Sequence, residues 1–181
     1  MNVTRQIVQE VYSDYKPPLN VKKTVQILLK YVPPEDLANL QSIVLTNMAA
    51  LSRKRKRQRS SSGAPICDVW GRYHPGWKKQ PAQIEIYVDN ILEGASWDDL
   101  WFPPFRNRMF AKILYHEIGH HVQLISNAKL VKEEAFAENY SDRLFTRFCQ
   151  ERYWYLRPWT KPILWALKKG GFLKSQKKIV K

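Results

Sequence analysis

FAKILYHEIGHHVQLI, residues 110–125, is the stretch of this 181-residue chain that decides its fold. Its apolar residues recur every three to four positions, which is the pattern of an amphipathic helix with one face in a core. We therefore predict a helix from about Arg106 to Ile125. The stretch also holds three of the chain's four histidines, so the helical period decides which of them share a face.

His116 and His120 are four residues apart, so a helix places both imidazoles on one face, roughly 5–6 Å apart at Cβ. Two imidazoles in this arrangement reach a single Zn²⁺ at about 2.0–2.1 Å. Glu117 is turned by about 100° from His116, so its carboxylate misses the metal and contacts a metal-bound water as general base. The pattern predicts one zinc ion per chain.

Further helices and strands are predicted on both sides of this segment. The predicted helices are residues 3–14, Val21 to Tyr31 with Asn20 as N-cap, a short turn from Glu35 to Leu40, and Val131 to Arg152. The predicted strands are residues 42–46, 69–73 and 83–89, of which the last alternates apolar and polar residues most clearly.

Together these elements predict an α+β fold in one domain. We expect a small, twisted, mostly antiparallel sheet of about three strands, with helices preceding it at the N-terminus. This sheet packs on the helix of residues 110–125 and on the glutamate-bearing helix that follows. The domain spans residues 1–150 and includes an exposed loop at residues 52–64, and residues 151–181 form a basic, aromatic tail.

The charge of the chain is strongly positive, with 30 Lys and Arg against 16 Asp and Glu and a net charge of +14. Six basic residues lie in 53–59 and nine in 152–181, and neither stretch contains an acid. These two stretches could bind nucleic acid, an acidic partner or a membrane surface. The alternatives are a solvated loop and a tail whose tryptophans cover the core.

The compartment is predicted from what the sequence contains. The sequence has no long apolar run of the kind that a transmembrane helix or a secretory signal requires, so we expect a cytoplasmic protein. Its two cysteines, Cys67 and Cys149, fit a reducing compartment. Cys67 is expected to be a small buried thiol, and the less common alternative is a thiolate that caps the zinc.

The HExxH segment resembles the motif of the zincin superfamily of metallopeptidases. The metzincin branch would need Gly at 123 and His at 126, and the chain has Gln123 and Ser126 there. Glu134-Ala-Phe-Ala-Glu138 is similar to the ExxxD and ExxAD motifs of the glutamate zincins, or gluzincins. This resemblance implies that Glu134 is the third zinc ligand and that Glu138, in place of the usual aspartate, orients a ligand histidine.

The remaining parts of such a site stay open at the level of sequence. No histidine follows His121, so a downstream ligand is a carboxylate, and the candidates are Glu133, Glu134, Glu138 and Asp142. Glu133 is the closest rival of Glu134. The possible oxyanion stabilisers are His121, Tyr115, Tyr140 and His74. The substrate is expected to lie along a sheet edge, for which the strand 83–89 is the candidate.

The resemblance implies a zinc-dependent endopeptidase in which Glu117 deprotonates the zinc-bound water and later protonates the leaving amine. The first alternative is a nucleic-acid-binding or acidic-surface-binding regulatory protein with a structural zinc site. The second is a membrane-surface protein with a degenerate zincin body. The presence of Glu117 favours the endopeptidase, since a structural site needs ligands and no base, and no helix-turn-helix or C₂H₂ spacing supports nucleic-acid binding.

Overall fold

The computed structural model describes residues 7–52, 69–76, 81–93, 95–96, 100–126 and 133–156. The chain divides into two compact units, Met1–Arg147 and Phe148–Lys181. The basic segment 53–59, Cys67 and the tail beyond residue 156 lie outside the described residues. The predictions made for them therefore stay predictions.

The described part of the first unit contains a four-stranded mixed sheet. Its strands are β1 (Val8–Val11), β2 (Leu40–Thr46), β3 (Gly71–His74) and β4 (Ala82–Tyr87), in the order β1-β2-β4-β3. β2 is parallel to β1 and to β4, and β3 is antiparallel to β4. The α+β class is confirmed, and the sheet has four strands where about three were expected. The expectation of a mostly antiparallel sheet is wrong, because two of the three strand pairs are parallel.

Four α-helices are present in the described residues. They are α1 (Val21–Leu29), α2 (Val88–Glu93), α3 (Pro103–Ile125) and α4 (Glu133–Arg152). Short 3-10 turns occur at Pro34–Leu37, Met48–Ala50 and Trp154–Leu156. The helices predicted around Val21, around the HExxH segment and around the glutamate pair are all confirmed.

The predicted helix over residues 3–14 is wrong, because Val8–Val11 forms strand β1. Residues 7, 8 and 11 have helical spacing, but the same residues also fit a short strand whose first residue is buried. The Ile7 carbonyl accepts the Ile43 amide at 2.7 Å, which extends the pairing with β2. Pairing with a distant segment thus outweighs a weak local pattern. α1 then connects two parallel neighbours, as in a βαβ unit.

The N-terminus of α1 is capped as predicted. The Asn20 side chain accepts a hydrogen bond from the Lys23 amide at 2.8 Å, which satisfies one of the amides left unpaired in the first helical turn. Val21, Val25 and Leu28 are fully buried and pack α1 on the core. α1 contacts both β1 and α3, so it fixes the helix that carries the HExxH segment.

The edge of the sheet beside α3 is β3. The strand predicted at residues 83–89 was the candidate edge, but β4 lies between β2 and β3. That strand also ends at Tyr87, since Val88 begins α2. Gly71 and Tyr73 of β3 pair with Ile86 and Ile84, and both of these isoleucines are fully buried.

The described part of the second unit holds the end of α4 and the turn Trp154–Leu156. Phe148 and Tyr153 are buried and meet edge to face, with ring centroids 5.5 Å apart. Trp154 is 66% exposed. Among the described residues, no helix is both long and apolar enough to cross a membrane.

Candidate metal centre

Helix α3 brings the two predicted histidine ligands together. The Nε2 atoms of His116 and His120 are 3.2 Å apart, and the ring planes are inclined at 86°. Burial, followed by the proximity of His116, lowers the pKa of His120 below its usual value. A neutral imidazole is the form that binds a metal, so this environment favours the ligand state of His120.

Helix α4 approaches α3 closely at Gly119, which has no side chain. A Cβ at Gly119 would lie 2.7 Å from Cα of Ala137 and 3.1 Å from its carbonyl oxygen. Near the same crossing, the Ser141 hydroxyl donates to the Lys112 carbonyl at 3.1 Å. This close approach of the two backbones places the first turn of α4 beside the imidazoles.

The third donor is Glu134, on that first turn of α4. Its Oε2 lies 3.3 Å from Nε2 of His116 and 3.8 Å from Nε2 of His120. Donors bound tetrahedrally at about 2.0–2.1 Å are about 3.4 Å from one another, so these three spacings fit zinc. Among the described residues, His116, His120 and Glu134 form the one group arranged in this way. The rivals Glu133 and Asp142 do not belong to it.

Glu138 lies one turn further along α4, behind His116. Its Oε2 is 3.5 Å from Nδ1 of His116, and its Oε1 is 3.3 Å from the Lys112 ammonium. A carboxylate at the ring nitrogen that does not face the metal fixes the orientation of a histidine ligand. The longer glutamate therefore reaches the position that the resemblance gave to an aspartate.

Glu117 is buried against the edge strand β3. A Cβ at Gly71 would lie 3.0 Å from both Cγ and Oε1 of Glu117, so only glycine allows β3 to approach this closely. Burial raises the pKa of Glu117 to about 8, the Tyr73 amide lowers it by donating a hydrogen bond, and the charge of Glu134 raises it. The result is a carboxyl group that takes up and releases a proton near neutral pH.

The four predicted candidates for an oxyanion stabiliser are all engaged elsewhere. His121 bonds the Ala38 carbonyl and the Tyr73 hydroxyl, and the Tyr115 hydroxyl donates to the Leu28 carbonyl. The Tyr140 hydroxyl donates to Asp36 at 2.6 Å, and Nε2 of His74 lies 3.0 Å from Glu85. These contacts assign none of the four to the donor group.

Sequence reasoning missed Gly71 and Tyr73, which it treated as ordinary strand residues. A signal was present, because a glycine inside a strand often marks a close approach of two backbones. The register that brings it to Glu117 depends on pairing with residues 82–87, which no local pattern reveals.

Comparison with protein families, curated proteins and solved structures finds no match to this chain.

Proposed function

We propose that the chain is a zinc-dependent endopeptidase of the zincin type. In this proposal His116, His120 and Glu134 hold one zinc ion, and Glu117 is the general base. The observation that carries it is the spacing of the three donor atoms, 3.2, 3.3 and 3.8 Å, beside a buried carboxyl with a raised pKa. The sequence motif contributes the same residues independently.

The number of donors favours a catalytic site over a structural one. Structural zinc sites are closed by four protein ligands, whereas catalytic sites use three and leave one position for water or substrate. Among the described residues, the group has three donors. The side chain of Glu134 is 61% exposed, so this side of the group is open to solvent.

The residues divide the chemistry between them. Bound zinc would polarise the scissile carbonyl and lower the pKa of its water. Glu117 would act as the general base and would return the proton to the leaving amine, for which a raised carboxyl pKa is suited. Glu138, held by Lys112, keeps the His116 ring in its orientation.

The substrate would bind as an additional strand along β3. The Trp70 carbonyl accepts the Tyr87 amide across the sheet, so Gly71 and Tyr73 direct their backbone groups outward, as residues alternate in an antiparallel pair. The Tyr73 amide donates to Glu117, so a peptide would pair with the other outward backbone groups of these two residues. An extended peptide pairs with such an edge through its main chain. Because Glu117 contacts both residues, a peptide bound there would pass directly by the base.

The test is cleavage of a proteome-derived peptide library, followed by mass spectrometry. We expect Glu117→Gln to abolish cleavage while zinc stays bound, because glutamine keeps the shape and cannot accept the proton. Glu93→Gln changes an exposed glutamate and is the matched control, with cleavage unchanged. Cleavage that survives Glu117→Gln would overturn the mechanism.

We also propose a cytoplasmic location, and binding of nucleic acid, an acidic partner or a membrane surface by the segment 53–59 and the tail. Both stretches lie outside the described residues, so the structure favours no particular partner for them.

A further inference from the structure

His121 follows directly after a proposed zinc ligand, yet it has a separate set of contacts. The residue is fully buried. Its Nε2 lies 2.9 Å from the Ala38 carbonyl, and its Nδ1 lies 3.0 Å from the Tyr73 hydroxyl. One imidazole thus joins three parts of the fold: helix α3, the edge strand β3, and the segment that follows the turn Pro34–Leu37.

The direction of both hydrogen bonds is fixed by their partners. A carbonyl oxygen only accepts, so Nε2 of His121 carries the proton and donates to Ala38. With the proton of the neutral ring on Nε2, Nδ1 has a lone pair, and it lies 3.0 Å from the Tyr73 hydroxyl. The Tyr73 hydroxyl must therefore donate to Nδ1, and its phenol ring is held in one orientation.

Tyr73 is attached to α3 at two points. Its backbone amide donates to the carboxyl of Glu117, and its hydroxyl donates to His121. Glu117 and His121 are four residues apart, so they lie on the same face of the helix, one turn from each other. These two attachments fix both the distance and the register of β3 relative to α3.

We propose that His121 is a positioning residue that acts through Tyr73 to hold the edge strand against Glu117. The chain Ala38–His121–Tyr73 fixes the Tyr73 amide, and that amide fixes the direction of the Glu117 carboxylate. This role in catalysis rests on the proposed peptidase function. The contacts themselves do not require zinc or substrate, so they are testable separately.

The test is amide hydrogen exchange, measured by NMR on the full-length chain without metal. The quantity is the exchange rate of the residue 73 amide relative to that of Tyr87, whose amide bonds Trp70 in the same pair of strands. Tyr73→Phe removes only the hydroxyl. We expect the relative rate to rise about tenfold, which corresponds to the loss of one hydrogen bond.

Tyr115→Phe is the matched control. It removes a buried hydroxyl from α3, one that donates to the Leu28 carbonyl in α1. It should change the overall stability and leave the relative exchange rate of the residue 73 amide unchanged.

A comparison of two variants at His121 tests for rescue. Asn keeps an acceptor near the Nδ1 position, whereas Leu has a similar size and no acceptor. We expect His121→Leu to raise the relative rate more than His121→Asn.

Two results would overturn the inference. One is a relative rate that stays constant in Tyr73→Phe while the melting temperature falls, which would make His121 an ordinary core residue. The other is an equal relative exchange rate of the residue 73 amide in His121→Asn and His121→Leu.

If the peptidase is active, Tyr73→Phe should lower kcat more than it changes KM, with zinc content unchanged. A wild-type chain that cleaves nothing would contradict the proposed function and leave the exchange result standing.

Discussion

Glu117 is a carboxyl group that the fold keeps out of water, and burial raises its pKa from the usual 4.5 to about 8. Between these two values the folded protein holds a proton that the unfolded chain has released. The free energy of unfolding therefore falls as the pH rises through this range. The protonated carboxyl of Glu117 makes its full contribution to the free energy of unfolding below pH 4.5. This contribution is lost as the pH passes about 8.

We expect the metal-free protein to become less stable between pH 4.5 and 8, measured by urea unfolding in the presence of a chelator. Glu117→Gln should remove this part of the pH dependence, because glutamine is neutral throughout. Glu93→Gln, at an exposed position, should keep it. Identical pH profiles for wild type and Glu117→Gln would show that the carboxyl is not held in its protonated form.

At the scale of elements, the site depends on how closely α3 and α4 approach each other. Gly119 lies against the Ala137 backbone, where an added Cβ would be 2.7 Å from Cα of Ala137. Inside a helix, Gly→Ala ordinarily stabilises a protein by about 1 kcal/mol. Here the added methyl has no room, so we expect the opposite sign.

Gly119→Ala should therefore lower the free energy of unfolding, by about 1–3 kcal/mol as for other overpacked sites. It should also weaken zinc binding about tenfold or more, because α4 carries Glu134 and must move away from α3. The measurements are urea unfolding and competition for zinc with a chelating dye. A more stable variant with unchanged zinc affinity would mean that the two helices are not in tight contact.

The elements that sequence alone predicted are those determined locally. Helices α1, α3 and α4 have periodic apolar faces, and Asn20 caps the first of them as expected. Strand β1 was missed because Ile7, Val8 and Val11 have helical spacing and only their pairing with β2 makes them a strand. The position of β3 at the edge likewise follows from pairing between distant segments.

The candidate site, like the fold, could be predicted from sequence only where its residues are positioned locally. His116, Glu117 and His120 follow from spacing on one helix. Glu134 differs from its neighbour Glu133 by a single residue, a turn of about 100° around α4. Which of the two faces the histidines depends on the crossing at Gly119, and that is a property of the packed structure.

At the scale of the whole molecule, the donors come from two helices separated by the segment between Ile125 and Glu133. A metal that binds all three donors stabilises the folded state only, since the unfolded chain does not hold them together. Zinc at about 100 times its dissociation constant adds about 2.7 kcal/mol. For a chain of this size, the melting temperature should rise by about 5–10 °C.

This shift is measurable by calorimetry with and without zinc. A chelator should reverse it, and Glu134→Ala should abolish most of it. A melting temperature that does not respond to zinc would mean that the three side chains do not bind the metal in the folded protein.

Metal content, measured by elemental analysis, shows whether His116, His120 and Glu134 form one zinc site. The comparison is between wild type, Glu134→Ala and Glu133→Ala, since the two glutamates are adjacent, both exposed and both in the first turn of α4. We predict about one zinc per chain in wild type and in Glu133→Ala, and a large loss in Glu134→Ala. A wild-type chain without zinc, or a loss in Glu133→Ala with retention in Glu134→Ala, would contradict the account.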